Sequence, residues 1–560
     1  MPGDESASRD PARDAPGTRD GTADRGAIGA DLGAAEVKAP PDAVLPSGGR
    51  PPGLAARRLR SPAGRWLSIF AVSLGLFIVR FLVPAPVGQA DNRDGPRLMC
   101  GLGVVPVTHG FARFFRYAYF EYVPSKACAG RLPYPSSALV PLELARLVTP
   151  VLRLPGTLNL IAAGLLMCVI ASAGIASLAT GLRLRLAAQL VVAAAAWLIM
   201  ADAAFFDFDA APFSEASALV GLLLVAAGLL YLGRGGRATM LGLVLAGSGG
   251  FLAVLAKEQY LILAVPICLS LILASADRSR GRGIDRFRTR PAGAVVAVAA
   301  LLAMMAAAYV AWDYTSHYGR RLHHIQAVDM IFTDIVNKRA TAPADLRALG
   351  LPVSWSRYAK HIYWARFSVR QSPLYPRYAA QLTDGNIAHY LLTHPGSIIS
   401  IGQQQAILAQ RFQVTTLGDY PPSAGHPPGA IESRVVVLTW LMHRLPHGLG
   451  LLWLIPLWTA MAAVAIVALR RRRGRPWHRD GAVVVLCMTG CAIAAFIPVA
   501  YFAGVATTRH MAGMNLATAL AFLASAALAV SMSYQALARA RRRPQAAMAP
   551  DMPELARPSG

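Results

Sequence analysis

The sequence predicts an all-α integral membrane protein of about ten transmembrane helices, and three observations carry that prediction. Runs of about 20 apolar residues recur along the chain, each long enough to cross a hydrocarbon core. Charged residues make up only 15% of the 560, against roughly 25% in an ordinary soluble protein, and the mean hydropathy is +0.42. The net charge of +25, from 55 Lys and Arg against 30 Asp and Glu, is gathered in short segments between the apolar runs. Such segments are the usual determinants of membrane topology. In a soluble chain this charge would point to nucleic acid, but no aromatic-basic binding module accompanies it, so nucleic acid is not an expected partner.

Taken in order, residues 1–55 are rich in Ala, Gly, Pro, Asp and Arg and cannot bury enough apolar surface to fold. They are expected to be a disordered cytoplasmic tail, and no signal-peptide pattern opens them. Arg57, Arg58, Arg60 and Arg65 precede the first span, at 66–84, and hold the N-terminus inside. That span begins an N-terminal transmembrane module, 56–312, whose polar outer loop covers 85–156. The loop ends in SSALVPLELARLVTPVLRL, which carries Glu143 and Arg146 and is broken by Pro141 and Pro150; an interfacial helix is expected there. Further spans are expected at 157–179, 186–201, 214–232, 238–256, 259–276, 293–312, 448–469, 481–502 and 512–533.

Alternating sides along this list is a consistency test. It places Arg183 and Arg185, Arg234 and Arg237, the segments 277–290 and 469–480, and the C-terminal ARARRRP all inside, while nearly all acidic clusters fall outside. Both termini are then cytoplasmic, with C-terminal helices in 448–540 and a second disordered tail at 541–560. The connection 313–447 is too long for a plain loop, and its short amphipathic pieces predict a small, mainly helical extracytoplasmic domain on the membrane surface. Of the six cysteines, Cys168, Cys268, Cys487 and Cys491 fall in or near apolar spans and read as inert core thiols. Cys100 and Cys128 share the outer loop, where a disulfide can form.

Three outer loops concentrate unusual charge. The first holds Asp91, Arg93, Asp94 and Arg97. Two carboxylates three residues apart can share a helical face, one accepting a proton and the other orienting it or holding a divalent cation, although Asp-Asn-Arg-Asp-Gly-Pro is also good turn chemistry. The second is ADAAFFDFDAAPFSE at 201–215, where Asp202, Asp207, Asp209 and Glu215 alternate with phenylalanines between two apolar runs. Acidic groups at the mouth of a helical bundle are costly and suggest a site. Ser214 and Glu215 also suit a helix start. In the third, Lys257 and Glu258 separate two adjacent spans; Lys257 can snorkel or offer a point charge to phosphate. Arg509 and His510 add charge on the same side. The first loop further interleaves Arg113, Arg116, Lys126 and Arg131 with Phe111, Phe114, Phe115, Tyr117, Tyr119, Phe120 and Tyr122, which suits a lipid-phosphate-linked substrate or an interfacial aromatic belt. No Walker A, Rossmann glycine fingerprint, H-E-x-x-H or G-x-S-x-G string occurs. His323 and His324, adjacent on one helix, face different ways and read as surface residues.

The stretches ADNRDGPRLMCGLGV, FFDFDAAPFSEASALVGLL, LAKEQYLIL, LRALGLPVSW and TTRHMAGMNLA, spread from about 90 to 520, resemble the bacterial polytopic hexose transferases of surface-glycan biosynthesis, within the GT-C glycosyltransferase class. The resemblance implies a GT-C-like first outer loop and a bacterial inner-membrane location. It implies a polyprenyl-phosphate-linked sugar as donor, a glycan or lipid-linked acceptor, and inverting transfer on the extracytoplasmic face. An acidic residue of the first outer loop is then the base, with Asp94 favoured over Asp91 because it lies beside Arg93 and Arg97. Arg93, Arg97, Asp207, Asp209, Glu215, Lys257, Glu258, Arg509 and His510 become substrate-binding candidates. Here the chain reads DAAPFSE where relatives have an Asn-Ser-Phe-Tyr-Ser-Glu-like string, so Phe213 and Glu215 match in type and the preceding residues depart. A metal such as Mg or Mn is optional, because phosphate is already a good leaving group. The rival reading is a transporter or flippase of a lipid-linked glycan, and a third is an assembly scaffold. Charge at one rim, rather than at mid-membrane depth, favours the enzyme.

Overall fold

The computed structural model describes residues 61–108, 114–129, 134–276, 320–337, 340–446, 448–471, 476–505 and 507–547, with isolated helical positions at 299, 303 and 306. The tail 1–55, the basic loop 277–290, nearly all of the expected span 293–312, and Phe111, Arg113 and Arg131 lie outside the described residues. What is described is an all-α integral membrane protein with three short strands.

Helix α1 (Pro62–Leu82) starts on Ser61, whose hydroxyl accepts from the Gly64 N–H at 2.9 Å, with Pro62 at its first position. The loop after it folds into α2 (Gly95–Cys100), β1 (Val104–Pro106), β2 (Glu121–Pro124) and α3 (Leu139–Val151), and ends in β3 (Leu158–Asn159). The strands form one antiparallel sheet in the order β1–β2–β3, with Val105 opposite Val123 and Glu121 opposite Asn159. A disulfide between Cys100 and Cys128 ties α2 to the end of β2. Helix α3 buries Leu142, Ala145 and Thr149 and exposes Val140, Leu144, Leu147 and Val151, the two-faced pattern of the interfacial helix expected here.

Next come α4 (Leu160–Gly181), α5 (Leu186–Ala201), α6 (Ala203–Phe206), α7 (Glu215–Leu232), α8 (Gly236–Val254) and α9 (Ala264–Ala276). Then α10 (Arg320–Met330) runs into a π-helical turn (Ile331–Ile335), followed by α11 (Ala342–Ala348), α12 (Tyr375–Tyr378), α13 (Asp384–Thr393), α14 (Pro395–Ala409) and α15 (Val437–Arg444). The chain closes with α16 (Leu451–Arg470), α17 (Pro476–Phe502), α18 (Thr507–His510) and α19 (Ala512–Ala547). Helix α19 continues into the stretch expected to be a disordered tail, where Ala and Arg are good helix formers.

Among the described residues, α1, α4, α7, α8, α16, α17 and α19 are long and apolar enough to cross a membrane, and α5 with α6, bent by 59°, makes an eighth if taken as one broken span. The expected span at 259–276 is a shorter apolar helix that begins with a 3-10 turn (Glu258–Leu263). The helix at the centre is α7, buried along its whole length. It packs on α8 through small residues: a Cβ added at Gly221 would lie 2.6 Å from both the Ala253 nitrogen and the Gly249 carbonyl oxygen, and one at Gly228 would lie 2.5 Å from the Ala246 nitrogen. Without a hydrophobic effect between helices in lipid, such backbone contact is what holds a pair together.

Residues 320–409 gather around a core of their own, including Ile331, Phe332, Leu346, Trp355 and Ile387, and are mainly helical as expected. The following stretch returns to the first loop. Gly88 donates to the Asp419 carbonyl (3.0 Å), Ala90 to that of Gly418 (2.8 Å), Ala118 to that of Tyr420 (3.0 Å), and Gly429 to that of Arg116 (2.8 Å).

Candidate functional site

Four segments far apart in sequence meet at one end of the bundle: the turn before α2, the start of α7, the break after α8, and α18. Each is placed by backbone chemistry. Asp91 accepts from the N–H groups of Arg93 (2.7 Å) and Gly95 (3.0 Å), which closes the turn that presents Asp94. A Cβ on Gly95 would sit 2.7 Å from Asp91 Oδ2, so the turn requires glycine there. The open carbonyls ending α8 are met by the first loop: Ser137 N–H and hydroxyl donate to Leu255 and Leu252 (both 2.8 Å), and Ser136 hydroxyl to Ala256 (2.7 Å). Lys257 then takes extended backbone before the 3-10 turn. Glu215 is the first residue of α7, where a carboxylate is favoured by the helix dipole; Ser214 before it makes no side-chain capping bond.

The side chains form an alternating cluster. Arg509 Nη2 pairs with Asp94 Oδ2, and Arg509 Nε lies 3.5 Å from Glu215 Oε1. Lys257 Nζ lies 3.3 Å from the same Glu215 oxygen. The Arg509 guanidinium stacks 4.8 Å above the Phe213 ring. His510 Nε2 is 3.1 Å from Lys257 Nζ and 3.0 Å from Arg509 Nη2. Both neighbours can only donate, so Nε2 accepts and Nδ1 carries the proton. Burial, then Lys257 and Arg509, hold His510 well below the ordinary imidazole range, keeping it neutral. Partial burial alone would raise Asp94, but Arg509 and Lys257 outweigh it and hold the carboxyl well below the usual range. Asp94 remains 43% exposed while Arg509, Glu215 and His510 are buried, so Asp94 is the open side of the cluster.

Two cations balance two carboxylates. Yet Arg509 Nη1 and His510 Nδ1, both buried, find no hydrogen-bond acceptor among the described residues. Unmet buried donors are costly and call for an explanation.

The other candidates are placed differently. Glu258 accepts from the Tyr134 hydroxyl and so ties the first loop to the 3-10 turn. Arg97, on α2, is half-buried and its charge acts on Asp94. Arg93 is exposed, its guanidinium 5.6 Å above the Phe114 ring. Asp207 and Asp209 do not join the cluster beside Lys257 and Arg509. They lie buried in a 3-10 turn (Asp207–Ala210), where Asp207 Oδ1 is 3.7 Å from Arg80 Nη2. Arg80 also lies 3.3 Å from Glu432, which pairs with Arg434 at 2.6 Å and accepts from Tyr420 at 2.9 Å. Asp419 accepts from the Glu432 N–H at 2.7 Å, and burial, with Glu432 beside it, pushes its carboxyl up to about 8. Asp202 is a joint: it accepts from Ala204 N–H (3.1 Å), from Leu438 and Thr439 N–H (2.7 and 3.2 Å) and from the Thr439 hydroxyl (2.8 Å), so it caps α6 and α15 together.

Sequence reasoning singled out none of Arg80, Tyr134, Asp419 or Glu432. Arg80 alone had a signal, as an arginine inside an apolar span. His323 pairs with Asp384 at 3.1 Å and is half-exposed, as expected of a surface residue. A small open pocket beside Asp91 is lined by Gln89, Pro106, Tyr119, Tyr122 and Pro212. Among the described residues, no three His, Cys, Asp or Glu side chains come together in a way that could hold a metal ion.

A family model described as the YfdI N-terminal transmembrane domain matches residues 57–540, and the chain belongs to that family. No curated protein and no solved structure matches it.

Proposed function

We propose that this membrane protein, by its family and its charged cluster, is a GT-C-type hexosyltransferase. It moves a hexose from a polyprenyl-phosphate donor to a glycan or lipid-linked acceptor on the extracytoplasmic face of a bacterial inner membrane. The observation that supports this reading is the pair of buried donors, Arg509 Nη1 and His510 Nδ1, beside a cation held by an exposed carboxylate. A phosphate oxygen supplies the missing acceptors, and a phosphate competes with Asp94 for Arg509.

That competition gives the mechanism an order. Without donor, Asp94 is paired and too weak a base. The donor phosphate takes Arg509 and Lys257, and Asp94 loses the partner that depressed its pKa. The released carboxylate then accepts the proton of the acceptor hydroxyl, the oxygen attacks the anomeric carbon from the opposite face, and the carbon–phosphate oxygen bond breaks with inversion. Arg509, Lys257 and neutral His510 stabilise the charge that grows on the leaving phosphate. Asp91, occupied by its own turn, orients Asp94 rather than reacting. The chain's own cations suffice for this step, so a divalent metal remains optional.

The test is release of polyprenyl phosphate from a panel of polyprenyl-phosphate sugars, with purified protein in lipid, for wild type and Asp94→Asn. Release by wild type alone supports the reading. Movement of donor across sealed vesicles with no release would replace it with a flippase.

A further inference from the structure

Helix α18 has four residues, too few to hold itself in place, yet it presents both Arg509 and His510. Its last carbonyl, on His510, accepts from Gln259 at 3.2 Å, and its first residue is held from the 320–409 region. Thr507, its first residue, donates its hydroxyl to Gln405 Oε1 on α14 at 2.8 Å. The other end of that amide, Gln405 Nε2, donates to Asp334 Oδ1 in the π-helical turn at 2.5 Å. All three side chains are buried. A second contact reaches the same loop: the Thr333 hydroxyl lies 3.0 Å from the Gly504 carbonyl oxygen. Gly504 adopts φ +66°, and a Cβ there would lie 2.6 Å from the Met330 nitrogen, so the backbone before α18 rests directly on the end of α10.

We propose that the Asp334–Gln405–Thr507 chain sets the position of Arg509 and His510, which makes Asp334 and Gln405 positioning residues for the charged cluster. Its catalytic consequence rests on the transferase reading; the mechanical coupling does not. A buried amide bonded at both ends has one orientation, and helix α14 is thereby keyed to α18.

The proton count at Thr333 adds a pH response. Its hydroxyl has one hydrogen and three acceptors within reach: the Asp329 carbonyl (2.7 Å), Asp334 Oδ2 (2.8 Å) and the Gly504 carbonyl (3.0 Å). When Asp334 is protonated it can donate to Thr333, which frees the hydroxyl hydrogen for Gly504. When Asp334 is ionised it competes for that hydrogen. Burial, with Asp329 adding repulsion, pushes Asp334 up to about 7, against the hydrogen bonds from Thr333 and Gln405. Asp329 itself accepts from the Tyr363 N–H, and burial pushes it up to about 6. Asp329 is the charged neighbour that acts on Asp334; α14 and α18 contribute the neutral Gln405 and Thr507 to it.

The experiment is hydrogen exchange of the 505–511 backbone amides in the full-length protein, corrected for the intrinsic effect of pH, for wild type, Gln405→Leu and Asp334→Asn. Gln405→Leu should raise exchange in that segment by about tenfold while α7 is unchanged. Wild-type protection should fall as pH rises through about 7, and Asp334→Asn should remove that step while keeping the low-pH protection. Unchanged protection in Gln405→Leu, or a pH step that persists in Asp334→Asn, overturns the proposal. In the release assay Gln405→Leu should lose kcat about tenfold, while Asp334→Asn should keep kcat and shift the pH profile. Altered exchange together with no release from wild type would remove the transferase reading and leave the coupling standing.

Discussion

The two buried charge clusters each take a carboxylate from the 201–215 acidic run, Glu215 in one and Asp207 in the other, but they differ in how their charges are answered. Around Arg509, two cations meet two carboxylates, one carboxylate is open to solvent, and buried donors are left over. Around Arg80, the carboxylates Asp207, Asp419 and Glu432 crowd one buried arginine, with Arg434 on the rim, and both Asp207 oxygens lack a hydrogen-bond partner among the described residues. The first has donors to spare at an accessible edge, which suits an anionic ligand. The second leaves groups of both signs without a hydrogen bond among the described residues, all three Arg80 guanidinium nitrogens as well as both Asp207 oxygens, in a closed interior, and it joins α1, the 3-10 turn and the 418–434 stretch. Burial of an ionisable group, or of an unmet donor, therefore does not by itself mark a site; access to solvent, which Asp94 gives the first cluster, separates the two.

The sharpest way to break this contrast is to remove one charge from each. Asp94→Asn should lower kcat for release by about 10³-fold and destabilise the fold less than the Arg80 change, because Arg509 keeps Glu215 as a partner. Arg80→Met should do the reverse in kind, costing about 3–5 kcal/mol because it leaves buried carboxylates unanswered, and thermal unfolding in detergent reads it directly. If Arg80→Met folded normally and Asp94→Asn did not, the assignment of roles would be inverted.

A smaller effect separates Asp91 from Asp94. Asp91→Ala removes the side-chain acceptor of two backbone N–H groups and should cost about 1–2 kcal/mol, with activity falling through the misplaced turn. Asp91→Asn, which still accepts, should restore most of both.

The smallest effect is a pH slope. Asp419 sits near 8 in the folded chain and near 4 when unfolded, so the folded state binds the extra proton between those values. Stability should fall as pH rises from about 4 to 8 and level off above. Asp94 has the opposite sign: its folded carboxyl is depressed, so its contribution is present above the ordinary carboxylate range and fades as pH drops below it. Asp419→Asn should flatten the neutral-pH slope and leave the acid limb, which a series of unfolding curves from pH 4 to 9 resolves.

By itself the sequence determined the membrane class and where the described spans run, because about 20 apolar residues in a row leave a chain few alternatives to a buried helix. It also determined that Asp94, Glu215, Lys257, Arg509 and His510 are unusual, since each is an ionisable group at the margin of an apolar run. The β1–β2–β3 sheet was not legible, because strands of two to four residues are too short to show a period. Nor was the sorting of the 201–215 acids among a cap (Asp202), an Arg80 partner (Asp207) and a member of the Arg509 cluster (Glu215). Those roles depend on which distant segment arrives beside each carboxylate: α15 at Asp202, α1 at Asp207, α18 at Glu215. Only the tertiary structure decides that, because the energy of a buried charge is set by its partner and its access to water, and neither is a local property of the chain.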